Sequence, residues 1–208
     1  KQSEYFQEFV GGSNEYKDFF ISLDKNKGFE EVVRPRSSDL FQEVEISNKK
    51  KYLWCTFSHD QIDLNFKNPD VLLFFIKLIY LYLDHGIKVF RLDAVAFLWK
   101  EKGTNCLNLP QTHEVIKLIR TLLDNYNQNT LLITETNLPN LENLSYFGNG
   151  DEANAIYNFT LPPLLIWTLL MGDSTALRKW SMSMPPAKEN TTYFNFIASH
   201  DGIGLRPT

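Results

Sequence analysis

IKVFRLDA, residues 87–94, decides the fold. Its β-branched and aromatic residues suit a short strand, Arg91 and Asp93 stand two positions apart and so share one strand face, and the run closes on a carboxylate. TLLITET, residues 130–136, repeats the plan and ends on Glu135. Upstream of the first run, Asn68-Pro69-Asp70 can start a helix, apolar residues recur at helical spacing through Leu83, and Asp84-His85-Gly86 ends it. Between the two strands a helix is expected from about residue 111 to 126. The alternation continues with AIYNF (155–159), a helix through about residue 170, another over 174–182, and TYFNFIASHD (192–201). Strands separated by helices imply right-handed βαβ units and a parallel sheet.

Four such strands fit either an open sheet or half of a (β/α)8 barrel. The polar residues discriminate. Asp93, Glu135 and Asp201 each close a strand-like run, and barrel enzymes collect catalytic groups from the C-terminal ends of several strands. A full barrel takes about 250 residues, and this chain of 208 must also hold an irregular, aromatic-rich N-terminal region. That region has turn signals at Gly11-Gly12, Asn26-Lys27-Gly28 and Arg34-Pro35-Arg36, and an alternating stretch over 51–57 suggests one or two small strands. The expected architecture is α/β: residues 67–208 form about half of a TIM (β/α)8 barrel, and residues 1–66 form a loop-rich subdomain.

Composition narrows the function. With 43% hydrophobic residues and a formal charge of -4, the chain can bury a sizeable core. Charges are mixed in sign and no basic stripe is present, so nucleic acid is not an expected partner. The most apolar run, residues 71–83, is too short to span a bilayer and is broken by Lys77, so no membrane association is expected. Cys55 and Cys106 are far apart and show no metal-binding or disulfide-scaffold spacing, which points to a reducing, cytoplasmic compartment. No metal and no organic cofactor are expected; calcium in particular finds no acidic cluster.

Two strand-end carboxyls suggest retaining glycoside chemistry, in which one group attacks the anomeric carbon and the other protonates the leaving oxygen from about 5 to 5.5 Å away. Asp93 suits the nucleophile, with Arg91 on its own strand face to favour the ionised form. Glu135, preceded by apolar Leu131-Leu132-Ile133, suits the acid, since burial raises a carboxyl pKa. Asp201, after His200, suits a third carboxylate that holds sugar hydroxyls and counters an oxocarbenium-like charge. Each residue also has a plainer reading when taken alone. A strand-end Asp caps helices, an Arg makes structural ion pairs, and Glu135-Thr136-Asn137 or His200-Asp201-Gly202 can be ordinary turns.

At these residues the chain resembles the α-amylase superfamily, glycoside hydrolase family 13. GIKVFRLDAVAFLWK (86–100) resembles its second signature, LLITETN (131–137) its third and ASHDGIG (198–204) its fourth. VVRPRSSDLF, LWCTFSHDQIDLNFKNP, KEKGTNCLNLPQTH, IYNFTLPPLL and SHDGIGLRPT look like the sucrose phosphorylase branch, so the resemblance covers nearly the whole chain. ETNLPNLENLSYFGNGDEA and a Ser before His200 look closer to members acting on glucosylglycerate or phosphorylated sucrose. The resemblance implies attack by Asp93, a β-glucosyl enzyme, protonation by Glu135, and inorganic phosphate in place of water as co-substrate. It also implies that Arg36 faces phosphate or acceptor and that Phe57 and Gln61 lie on the acceptor side. A surface turn for Arg36, core packing for Phe57 and a capping role for His113 remain the alternatives. The superfamily's first signature, Asp-x-x-x-Asn-His, is absent, as are three strands before residue 87 and an eighth. The resemblance therefore implies that residues 67–208 supply barrel strands four to seven, that residues 1–66 end an inserted subdomain, and that the rest of a longer polypeptide closes the barrel. The competing functions are an amylosucrase-like hydrolase or transglucosidase and a non-catalytic sugar-binding barrel.

Overall fold

The computed structural model of the chain describes residues 1–126 and 129–203. By packing they form two units, residues 1–86 with 97–109 and residues 87–96 with 110–126 and 129–203.

The first unit opens with helix α1 (Glu4–Val10), whose first turn is capped by the Ser3 hydroxyl accepting from the Phe6 amide at 3.4 Å. Strands β1 (Ser22–Leu23), β2 (Phe41–Ile46) and β3 (Lys49–Trp54) make an antiparallel sheet of order β1-β3-β2. Ser47 and Asn48 join β2 to β3 with φ of 50° and 59°, the left-handed pair that lets a two-residue turn follow the strand twist. Helix α2 (Pro69–Asp84) starts where expected: the Asn68 side chain accepts from the Asp70 amide at 2.9 Å and Pro69 occupies the first turn. Phe6, Phe9, Phe19, Phe20, Leu53 and Val71 form the core, with Phe6 edge-on to Phe20 at 5.4 Å. This region is thus more regular than its turn-rich sequence suggests. The elements before α2 are too short to leave a periodic signature.

In the second unit, β4 (Val89–Leu92), β5 (Leu131–Thr134), β6 (Ala155–Tyr157) and β7 (Thr192–Phe194) form a parallel sheet in chain order. The connections carry α3 (Pro110–Tyr126), α4 (Asn140–Ser145), α5 (Leu161–Met171) and α6 (Thr175–Ser183). Helix α3 buries Val115, Ile116, Ile119 and Leu123, one stripe of a 3.6-residue repeat. Helix α5 stops at Gly172, whose φ of 67° is the left-handed cap that glycine adopts without strain. Leu132, Thr134 and Ile156 fill one face of the sheet and are shielded from solvent. Ile156→Ala is expected to cost about 2–5 kcal/mol, read as a lower urea midpoint of the full-length protein.

One expected placement is corrected. Asp201 does not close a strand: β7 ends at Phe194, and Asp201 lies further on, in a tight turn bridged between Ser199 and Gly202. Nor is the segment buried, since Phe194 is 40% and Ile197 68% exposed. Among the described residues β7 is the outer strand with one neighbour, so its ladder lapses after the Tyr157–Phe194 rung. Residues 204–208, which end the SHDGIGLRPT stretch, lie outside the described residues. Among the described residues no helix is long and apolar enough to cross a membrane.

Candidate active site

The parallel register builds the site. Leu92 pairs with Thr134, and one step beyond come Asp93 and Glu135, tied by the Glu135 amide donating to the Leu92 carbonyl at 3.0 Å. Thr134 pairs with Ile156, and one step beyond Ile156 comes Tyr157. Because strand side chains alternate, Arg91, Asp93, Glu135 and Tyr157 all project from one face while Leu92, Thr134 and Ile156 pack into the other. The β-rich runs therefore deliver charged groups of different strands to one place.

Arg91 joins them. Its Nη1 lies 2.8 Å from Asp93 Oδ1 and its Nη2 2.6 Å from Glu135 Oε1. Its Nε donates to the Tyr157 hydroxyl at 3.1 Å. Glu135 Oε2 accepts from the Ala94 amide at 3.3 Å, and Ala94 is held at φ 44°, a left-handed conformation that turns the chain immediately after Asp93. The two carboxyls differ sharply in exposure, 73% for the Asp93 side chain and 14% for that of Glu135. Burial, helped by a hydrogen bond with the Asp93 carboxyl, holds Glu135 above the usual carboxylate range against the opposing pull of Arg91. Arg91 itself, although burial works against its charge, is held above its ordinary value by Glu135, Tyr157 and Asp93. One carboxyl open to an incoming carbon and one biased toward holding its proton is the division of labour that acid-assisted displacement requires.

His200 Nε2 lies 3.2 Å from Asp201 Oδ2, and both side chains are exposed. Among the described residues neither makes a hydrogen bond or ion pair with Asp93, Arg91 or Glu135. Arg36, Phe57 and Gln61 belong to the first unit. Arg36 is exposed on a bend, Phe57 packs edge-on against Phe97 at 5.6 Å, and Gln61 accepts from the Ser58 hydroxyl at 3.2 Å. Gln61 also lines an open cavity of about 220 Å³ with Phe6, Phe19, Leu64 and Phe74. His113 has a structural partner: its Nδ1 lies 2.7 Å from the buried carboxylate of Glu152, and its ring lies against Tyr146 at 4.6 Å.

Two residues that sequence reasoning passed over complete the site's frame. Tyr157 was read as part of a strand and no more, although its place in the third strand run, opposite Glu135, was a usable signal. Asn143, on the unexpected helix α4, is buried; it accepts from the Thr136 hydroxyl at 2.5 Å and donates to the Tyr157 carbonyl at 2.9 Å.

Parallel βα units with carboxylates gathered at strand ends define an α/β enzyme-type barrel segment. Residues 1–202 match the α-amylase catalytic domain, and the chain belongs to that family. Its sheet and helices are therefore part of a (β/α)8 barrel, strands four to seven. The chain is 45% identical over 206 residues to a glucosylglycerate phosphorylase of Spirochaeta thermophila, covering 99% of this chain and 35% of that protein. It is 44% identical over 208 residues to the glucosylglycerate phosphorylase of Escherichia coli, covering 99% and 37%. The crystal structure of sucrose 6F-phosphate phosphorylase from Thermoanaerobacter thermosaccharolyticum superposes with a TM-score of 0.83 at 26% identity, over 99% of this chain and 43% of that one. The chain thus spans about a third of the length of the curated relatives it matches.

Proposed function

We propose that this chain carries the reacting carboxyls of a retaining α-glucosyl transferase, and that the whole protein phosphorolyses an α-glucoside to α-glucose 1-phosphate. The observation that carries the reading is Arg91 bound at once to an exposed Asp93 and a mostly covered Glu135 whose carboxyl is held above the usual carboxylate range by burial. Asp93 attacks the anomeric carbon while Glu135 gives its proton to the departing oxygen, leaving a covalent β-glucosyl enzyme. Phosphate then displaces Asp93 from the opposite face, so the product keeps the α configuration. Asp201 and His200 bind sugar hydroxyls and steady the oxocarbenium-like charge; Arg36, Phe57 and Gln61 serve the acceptor side. No metal or organic cofactor enters these steps.

The similarity to glucosylglycerate phosphorylases supports phosphate as acceptor and favours glucosylglycerate over sucrose as donor. We assign residues 67–208 to the barrel and residues 1–66 to the end of an inserted subdomain, a division supported by α2 leading into β4, although residues 67–86 and 97–109 pack with the first unit. The remaining strands come from the same polypeptide. Cys55 and Cys106, both buried free thiols, suit a cytoplasmic protein.

The test is to incubate the full-length protein with glucosylglycerate, sucrose 6F-phosphate and sucrose, with and without phosphate. Phosphate-dependent release of α-glucose 1-phosphate, fastest from glucosylglycerate, is the expected result. Phosphate-independent release of glucose would overturn it in favour of a hydrolase or transglucosidase, and no turnover of any donor would favour a sugar-binding barrel.

A further inference from the structure

We propose that Tyr157 is a positioning residue that fixes how Arg91 shares its guanidinium between Asp93 and Glu135, a role that rests on the glucosyl-transfer reading. A guanidinium is a rigid planar fork, so its orientation is set once donors on different edges are engaged. Arg91 commits Nη1 to Asp93 and Nη2 to Glu135, and the remaining edge, Nε–H, points to the Tyr157 hydroxyl. Without that third contact the planar fork can swing about its Cδ–Nε bond, and its hold on Glu135 loosens.

Tyr157 is itself well held. Its ring lies 4.8 Å from that of Phe194, 5.3 Å from Phe196 and 5.5 Å from Phe159, and the Arg91 guanidinium carbon sits 5.6 Å from its centroid. Its carbonyl accepts from Asn143, which accepts from Thr136, the neighbour of Glu135. The links close a circuit: Glu135, Thr136, Asn143, Tyr157, Arg91 and back to Glu135. The aromatic packing holds the ring whether or not a hydroxyl is present. The hydroxyl, by contrast, ends on Arg91, which touches both carboxyls.

The charged and titratable groups around Glu135 are Asp93 and Arg91 from the end of β4 and, through Arg91, Tyr157 from β6. Arg91 opposes the upward push of burial on Glu135, so loosening Arg91 is expected to raise Glu135 further.

Tyr157→Phe in the full-length protein is the test. The Glu135 carboxyl is followed by carbon-13 NMR titration, assigned by its loss in Glu135→Gln, which needs no turnover; it is expected to titrate about half a pH unit higher than in the parent. In phosphorolysis the expected companions are kcat lower by ~10-fold, KM within about twofold and a basic limb displaced upward by the same amount. An unmoved titration overturns the proposal even if kcat falls, because lost packing alone would not move it. 4-Fluorophenylalanine at position 157 keeps the shape of the side chain and puts fluorine, a much weaker acceptor that does not ionise, in place of the hydroxyl. It is expected to give a smaller shift of the same sign, and no shift overturns the proposal where Tyr157→Phe does not fold. In an Arg91→Lys background, which lacks the Nε donor, Tyr157→Phe is expected to add no further shift; an additive shift also overturns it. Failure of the parent to make glucose 1-phosphate would sink the functional reading and leave the titration result standing on its own.

Discussion

Asp93→Asn in the full-length protein is expected to lower turnover of an α-glucoside by on the order of 10⁴-fold or more, with the fold intact. The side chain is largely exposed, so exchanging a carboxylate for an amide of the same shape removes little packing. What it removes is the electron pair that would displace the leaving group and the negative partner of Arg91 Nη1. The variant carries a second signature. Because the Asp93 carboxyl helps raise Glu135, its neutralisation leaves Glu135 titrating lower than in the parent. Asp93→Gly goes further, opening space for an external anion at the same face of the sugar. Azide added to that variant with α-glucosyl fluoride is expected to attack where Asp93 would have, giving β-glucosyl azide. Unchanged turnover in Asp93→Asn, or α-configured azide from Asp93→Gly, would remove Asp93 from the role of nucleophile.

The strand-end carboxyls were legible because IKVFRLDA and TLLITET each place a short β-rich run directly before a charged residue, and parallel register does the rest. Helix α2 was legible through its cap, Asn68-Pro69, and the apolar spacing that follows. Asp201 was not placed correctly because an aromatic stretch reads as strand for as long as it stays aromatic, whereas the ladder ends when backbone partners run out after Phe194. Tyr157 and Asn143 went unread for a different reason. Their importance lies in hydrogen bonds between separate segments, Arg91 to Tyr157 and Thr136 to Asn143, and no periodicity records contacts of that kind. Helix α4, six residues long, offers no repeat to detect and has no side-chain cap at Pro139 to announce it.

Glu135→Gln separates proton transfer from everything else in the site. Loss of a general acid is expected to slow turnover of glucosylglycerate by on the order of 10²–10⁴-fold. Fluoride leaves without being protonated, and phosphate is already an anion that needs no base to attack. With α-glucosyl fluoride and phosphate, therefore, the variant is expected to keep turnover within about tenfold of the parent. Stability is expected to move the other way. Glu135 is raised above its ordinary 4.5 when folded, so over the interval between that value and the raised one the folded protein binds more protons than the unfolded chain. Stability then falls as pH rises through the interval, and above it the ionised Glu135 is a standing cost to the fold. Gln resembles the protonated acid and escapes that cost. It also gives up the charge contact with Arg91, but the net upward direction means that burial and Asp93 outweigh this contact. The melting temperature of Glu135→Gln at neutral pH is accordingly expected to equal or exceed that of the parent, approaching it as pH falls below 4.5. A variant that melts earlier at neutral pH, or that loses α-glucosyl fluoride turnover as completely as glucosylglycerate turnover, would mean that Glu135 supports the site's architecture and does not act as its acid.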